Sequence, residues 1–278
     1  MRFIGFNKTR LCLAPLLLVM TFFAAGCDTF GAKEIKYVER PVEQIYNLAL
    51  TELQAGRYFQ AAEQFDEVER QHPYSVWARR SMLMAAYSNY QMNEYDKAIL
   101  AAQRFISLHP GNRDVSYAYY LVAVSYYEQI SDVGRDQKIT AQALSALTEL
   151  IRRFPTSDYA RDGRLKMDLT MDHLAGKEMD IGRYYLRQGE VLAALNRFRI
   201  VIVQYQTTSH IPEALHRLTE CYLALGIIDE AQAAAAVLGH NYPGTDWYAD
   251  SYALLTGKEI RPADKKDSWI SRAFGKVG

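Results

Sequence analysis

The sequence predicts an all-α solenoid of about five stacked helix pairs. Three observations carry that expectation. One frame of small, aromatic and helix-breaking residues returns five times along the chain, and apolar residues within each copy recur at the period of a helix. No five-residue stretch sustains the alternation of a strand.

The first 26 residues stand outside that frame. Arg2, Lys8 and Arg10 form a basic start, Leu11 to Phe23 an apolar run, and Ala24-Ala25-Gly26 a small-residue site before Cys27. The run is shorter than the roughly 20 residues a spanning helix needs, so residues 1–26 read as a cleaved signal peptide. Ala24-Ala25-Gly26-Cys27 resembles the bacterial lipobox, which makes Cys27 the expected lipidation site and new N-terminus. A diacylglyceryl thioether plus an acylated amine holds a membrane far more firmly than one chain.

Cleavage removes three of 32 basic residues and none of the 32 acidic ones, leaving a net charge near −3. No polybasic face points to nucleic acid. Of the three cysteines only Cys221 stays a free thiol, so no internal disulfide forms and the core alone must hold the fold. Residues 27–41 are read as the lipidated N-terminus and a charged linker, whose 14 residues from Asp28 to Pro41 reach at most about 45 Å.

The repeats follow. Tyr46, Ala49, Gly56, Tyr58, Ala61, Phe65 and Pro73 set the frame: small residues where two helices touch, a breaker between them, an aromatic, a closing proline. This is the tetratricopeptide skeleton. It returns 37 residues later as Ala86, Asn93, Tyr95, Ala98 and Pro110. A third copy carries Ala123, Ala143 and Pro155, with about eight extra residues around Ser131 to Lys138. The fourth has Gly182, Gly189, Ala194 and Phe198 and closes at Gln206, and the fifth has Gly226, Ala231 and Pro243. Alanine and glycine at the crossings allow helices to approach within about 8 to 10 Å. Each pair leaves an apolar face that only its neighbour covers, which stacks the pairs into a superhelix with an extended binding surface. The tail, residues 256–278, is charged and then places Trp269, Ile270, Ala273 and Phe274 on one helical face. It is read either as a frayed end or as a docking peptide for a partner or lipid headgroups.

Catalytic chemistry is not expected. None of the six histidines stands in an HExxH or paired-cysteine pattern, and no phosphate loop or GxSxG elbow occurs. His72 and His109 each precede a closing proline and read as repeat punctuation. Glu63, Asp66, Glu67 and Glu69 read as a solvated helix face, and Cys221 as a buried thiol. No metal or cofactor is predicted. The 20 tyrosines are the positive signal, since tyrosine suits both helix packing and peptide-binding surfaces.

Several motifs in fixed order resemble the BamD (ComL) family of lipoproteins. They are the lipobox cysteine, Pro41-x-x-x-Ile45-Tyr46, His72-Pro73-Tyr74-Ser75, Arg104-Phe105-Ile106, Tyr117-x-x-Tyr120, Arg135-Asp136-Gln137, Phe154-Pro155-x-Ser157-x-Tyr159, Tyr184-Tyr185-x-Arg187-x-Gly189 and Asn196-Arg197. The resemblance implies a non-catalytic scaffold at the periplasmic face of the outer membrane, where β-barrel proteins are inserted. Repeats 3–5, residues 112–255, would bind the POTRA domains of the barrel subunit BamA, with Asn196 and Arg197 at the contact. Repeats 1–2, residues 42–111, would offer a groove near Tyr74, Trp77 and Tyr87 to unfolded barrel substrates. Other small lipoproteins of the complex would be further partners. The competing readings are a periplasmic repeat adaptor for peptidoglycan or cell-division enzymes, and an enzyme on a helical superstructure such as a lytic transglycosylase.

Overall fold

The computed structural model describes residues 39–258, 260–263, 265 and 267–275. The predicted signal peptide and the lipidation site at Cys27 lie outside the described residues. Pro41 onward forms one compact unit. Its described elements are α1 (Val42–Gln54), α2 (Tyr58–Gln71), α3 (Val76–Gln91), α4 (Tyr95–Leu108), α5 (Val115–Tyr127), α6 (Lys138–Arg153), α7 (Asp158–Arg187), α8 (Val191–Gln204), α9 (Ile211–Ala224), α10 (Ile228–Asn241), α11 (Asp246–Thr256) and α12 (Trp269–Phe274). No strand occurs among the described residues. The helices α1 to α10 are the five pairs the repeat frame predicts.

Every alanine assigned to a helix crossing is fully buried: Ala49, Ala61, Ala86, Ala98, Ala123, Ala143, Ala194 and Ala231. Phe65, Phe105 and Phe198 are buried beside them. Within four of the pairs the breaker is a left-handed residue: Gly56, Asn93, Gly189 and Gly226 have φ of 72°, 61°, 78° and 74°. This reverses the chain in the fewest residues. Asn93 is the non-glycine case, and a β-branched side chain there meets its own backbone. Asn93→Val is expected to cost about 1–2 kcal/mol, read as a lower thermal midpoint, whereas Asn93→Gly leaves the midpoint near its original value.

Between pairs the closing segment does two jobs. His72, Phe154 and Tyr242 end their helices by donating a backbone N–H to Val68, Leu150 and Leu238. Two residues after Pro73, Pro155 and Pro243, the side chains of Ser75, Ser157 and Thr245 cap the next helix, accepting from the N–H groups of Ala78, Ala160 and Tyr248. The fourth repeat lacks its proline, and Pro212 in the first turn of α9 restarts the helix instead.

The first helices of repeats one to four touch in succession, α1 on α3, α3 on α5 and α5 on α7, while each second helix packs on its partner and on the next first helix. The array therefore curves with the first helices on its inner side. Its core falls into three clusters, one among α1, α2 and one face of α3, one among α3 to α5, and one from α7 to α12. Two elements depart from a regular repeat. α7 has 30 residues, about 45 Å of helix. Its first half packs on α6 through Gly163, and its second half on α8 through Gly182. The insertion between α5 and α6 is a loop stitched by the Gln137 amide, which donates to the carbonyls of Asp132, Val133 and Arg135.

The tail takes neither of its predicted roles. It folds back, and α12 packs on α10 and α8. Ile270 is fully buried, and Trp269 donates its indole N–H to the Tyr222 hydroxyl at 2.8 Å. The Arg199 guanidinium lies 4.8 Å from the Trp269 ring centroid. Ser268 donates to Glu230 at 2.6 Å, and Gln232 donates to the Arg261 carbonyl at 2.7 Å. The apolar face read from the sequence seals the end of the repeat stack within its own chain.

Candidate protein-binding surfaces

The predicted groove residues of repeats one and two do not form one cluster. Tyr74 lies in the turn between α2 and α3 and is 98% exposed. Trp77, in the first turn of α3, packs on Tyr46 with ring centroids 4.6 Å apart, under the Arg80 guanidinium. Tyr87 stands ten residues further along α3, about 15 Å along its axis. It packs, half-buried, against the middle cluster. A proline corner thus presents Tyr74 to solvent, whereas Trp77 and Tyr87 divide their area between packing and exposure.

Beyond Tyr74 and Tyr87, sequence reasoning assigned no individual tyrosine to a surface. On the inner side Tyr90, Tyr117, Tyr120 and Tyr159 gather from α3, α5 and α7. Tyr159 lies 5.3 Å from Tyr117 and 5.2 Å from Tyr120, centroid to centroid. Tyr120 donates to Asp162 at 2.8 Å, Asp162 pairs with Lys166 at 2.9 Å, and Tyr90 reaches Glu128 at 3.4 Å. Burial, with the adjacent carboxylates adding to it, pushes the Tyr90 hydroxyl up to about 12 and that of Tyr120 further. These hydroxyls stay protonated across the physiological range. The surface is a neutral, aromatic wall with hydrogen-bonding edges, suited to contact and not to proton transfer. The tyrosine pairs were visible in the sequence; their carboxylate partners, 38 and 42 residues away, were not.

Asn196 is exposed on α8, and Arg197 beside it is half-buried. The resemblance placed Arg197 at a partner contact and gave it no partner within the chain. In the structure its Nη1 donates to Glu178 of α7 at 3.0 Å, with 38% of the arginine side chain exposed. It braces α8 on α7 and retains donors toward solvent. On α7, Arg183 makes a two-pronged ion pair with Glu213 of α9, both bonds 2.8 Å. Burial alone raises the Glu213 carboxyl, yet the bonds and charge of Arg183 and Arg217 hold it below its ordinary value.

Cys221 is buried in α9, and burial raises its thiol to about 12. A thiol so shielded is unreactive. Iodoacetamide is expected to label Cys221 only as fast as the chain unfolds, tracked by mass spectrometry with and without urea; rapid labelling of the folded chain contradicts this burial. Among the described residues no group of histidine, cysteine and carboxylate side chains is arranged to hold a metal, and no helix is long and apolar enough to cross a membrane.

The YfiO family model, described as outer membrane lipoprotein, matches residues 38–238, from just before α1 into α10. The chain belongs to this family. Among its relatives, the outer membrane protein assembly factor BamD of Caulobacter vibrioides is 53% identical over 258 residues, covering 92% of this chain and 84% of the relative. The protein of the same name from Rickettsia prowazekii is 44% identical, covering 87% of this chain and 96% of its own length. That of Neisseria meningitidis serogroup A, strain Z2491, is 35% identical and covers 73% and 79%. The family match takes in all five repeats up to α10 and leaves the sealing helices α11 and α12 beyond it.

Proposed function

We propose that this chain is a non-catalytic scaffold in the assembly of outer-membrane β-barrel proteins, held at the periplasmic face of the outer membrane by lipid on Cys27. The observation that carries this reading is identity of 53% over 92% of the chain to a protein named an outer membrane protein assembly factor. The fold supports it physically. Stacked helix pairs with a tyrosine-lined inner side offer extended surface for gripping polypeptide. In this reading repeats 3–5 bind the POTRA domains of a BamA barrel subunit at Asn196 and Arg197, alongside other small lipoproteins. Repeats 1–2 receive unfolded barrel substrates near Tyr74, Trp77 and Tyr87.

The test is affinity purification of the tagged full chain after mild detergent extraction. A barrel subunit carrying POTRA domains is expected in the eluate at a stoichiometric level. Recovery of peptidoglycan or division enzymes without that subunit overturns the reading. Arg197→Ala, combined with Glu178→Gln so that no carboxylate is left unpaired, is expected to lower the yield of the barrel subunit while circular dichroism stays unchanged.

A further inference from the structure

The length of α7 leaves part of one face uncovered. Leu165 and Leu169, one turn apart, are 65% and 60% exposed, and their four-residue spacing forms the ridge that a second helix fits. Leu169 leads into a cavity of about 620 Å³, walled by α7, by the inserted loop at Asp132–Gly134 and by His210. The loop is fixed in place: Lys177 donates from Nζ to the Gly134 carbonyl at 3.1 Å, and Asp132 accepts from the Gly134 N–H at 2.7 Å. On the opposite wall Asp172 accepts from the backbone N–H and the hydroxyl of Ser209. Gly176 lets His210 lie close, since a Cβ there stands 3.2 Å from its Nε2.

The charge around this cavity is mainly acidic, with the Lys177 ammonium at the loop and the His210 imidazole 3.6 Å from Asp172 as the basic groups beside it. Asp132, Asp172 and Asp180 contribute three carboxylates; Arg183, at the far end, is already neutralised by Glu213. The Nδ1 atom of His173 is buried and has no hydrogen-bond partner. Carboxylates thus outnumber the basic groups that face them, beside an apolar ridge.

We propose that this face docks an amphipathic helix of a partner protein, two apolar side chains covering Leu165 and Leu169 and an arginine or lysine entering the acidic cavity. A guanidinium offsets the excess of negative charge and offers a fork of donors that fits a carboxylate such as the exposed Asp180. The surface is separate from Arg197. Glu178, which holds that arginine, stands about 200° around α7 from both Gly176 and Asp180. The inference is therefore independent of the proposed POTRA contact.

The test uses the full lipidated chain in detergent and two labelled synthetic helical peptides, read by fluorescence anisotropy. One peptide carries leucines four residues apart and an arginine two turns further along; the other has glutamate in place of the arginine. Saturable binding of the arginine peptide, at least about tenfold tighter than the glutamate peptide, is expected. Leu169→Ser and Asp180→Asn, both at exposed positions, are each expected to weaken it about fivefold or more, and Arg197→Ala to leave it unchanged. Equal affinity for the two peptides, no binding of either, or full affinity in both cavity variants overturns the proposal.

Discussion

Replacing Phe198 with alanine is expected to destabilise the chain by about 3–5 kcal/mol, the range for emptying a large aromatic site in a core. Phe198 is fully buried in the cluster from α7 to α12. Its ring lies over Gly182, where a Cβ would stand only 2.4 Å from the ring. Ring and glycine therefore form one fitted contact between α7 and α8. Gly182→Ala is expected to cost about 1–3 kcal/mol from the other side, because a packed core does not yield to an added methyl. Joining Gly182→Ala to Phe198→Leu is expected to recover part of that loss. Urea unfolding by circular dichroism measures all three, and additive losses in the double variant contradict the fitted contact.

Ile270→Ala is expected to lower stability by about 2–5 kcal/mol, although the residue lies only eight positions before the last one in the sequence. Ile270 is fully buried between α12 and the last repeat, and Trp269 is held by Tyr222 and Arg199. A chain ending after Lys258 is expected to lose as much, with the loss concentrated in α8 to α11 when followed by hydrogen exchange. A tail that merely frayed would make both changes silent.

Much of the fold was legible because a repeat states its packing rule five times. The alanines at the crossings, the breakers at Gly56, Asn93, Gly189 and Gly226, and the proline corners all act locally, through side-chain size or backbone conformation. Local causes leave local signals. The length of α7 was hidden for the converse reason: nothing between Asp158 and Arg187 ends a helix, and sequence does not state which neighbour each half of it meets. The tail shows the same limit, since its apolar face was evident and the surface that receives it was not. At the candidate sites the gap widens. Arg197 finds Glu178 nineteen residues away on another helix, and Tyr120 finds Asp162 across forty-two. Such pairs depend on how helices are set against one another, which residue spacing does not encode.

The two ends of the stack are finished differently. Among the described residues α1 packs on α2 and α3, while the opposite end is closed by α11 and α12 over a buried cluster. In a linear array each unit draws its stability from its neighbours. The last repeat is therefore held from both sides, by the repeat before it and by the folded-back tail, and opening it requires α12 to lift first.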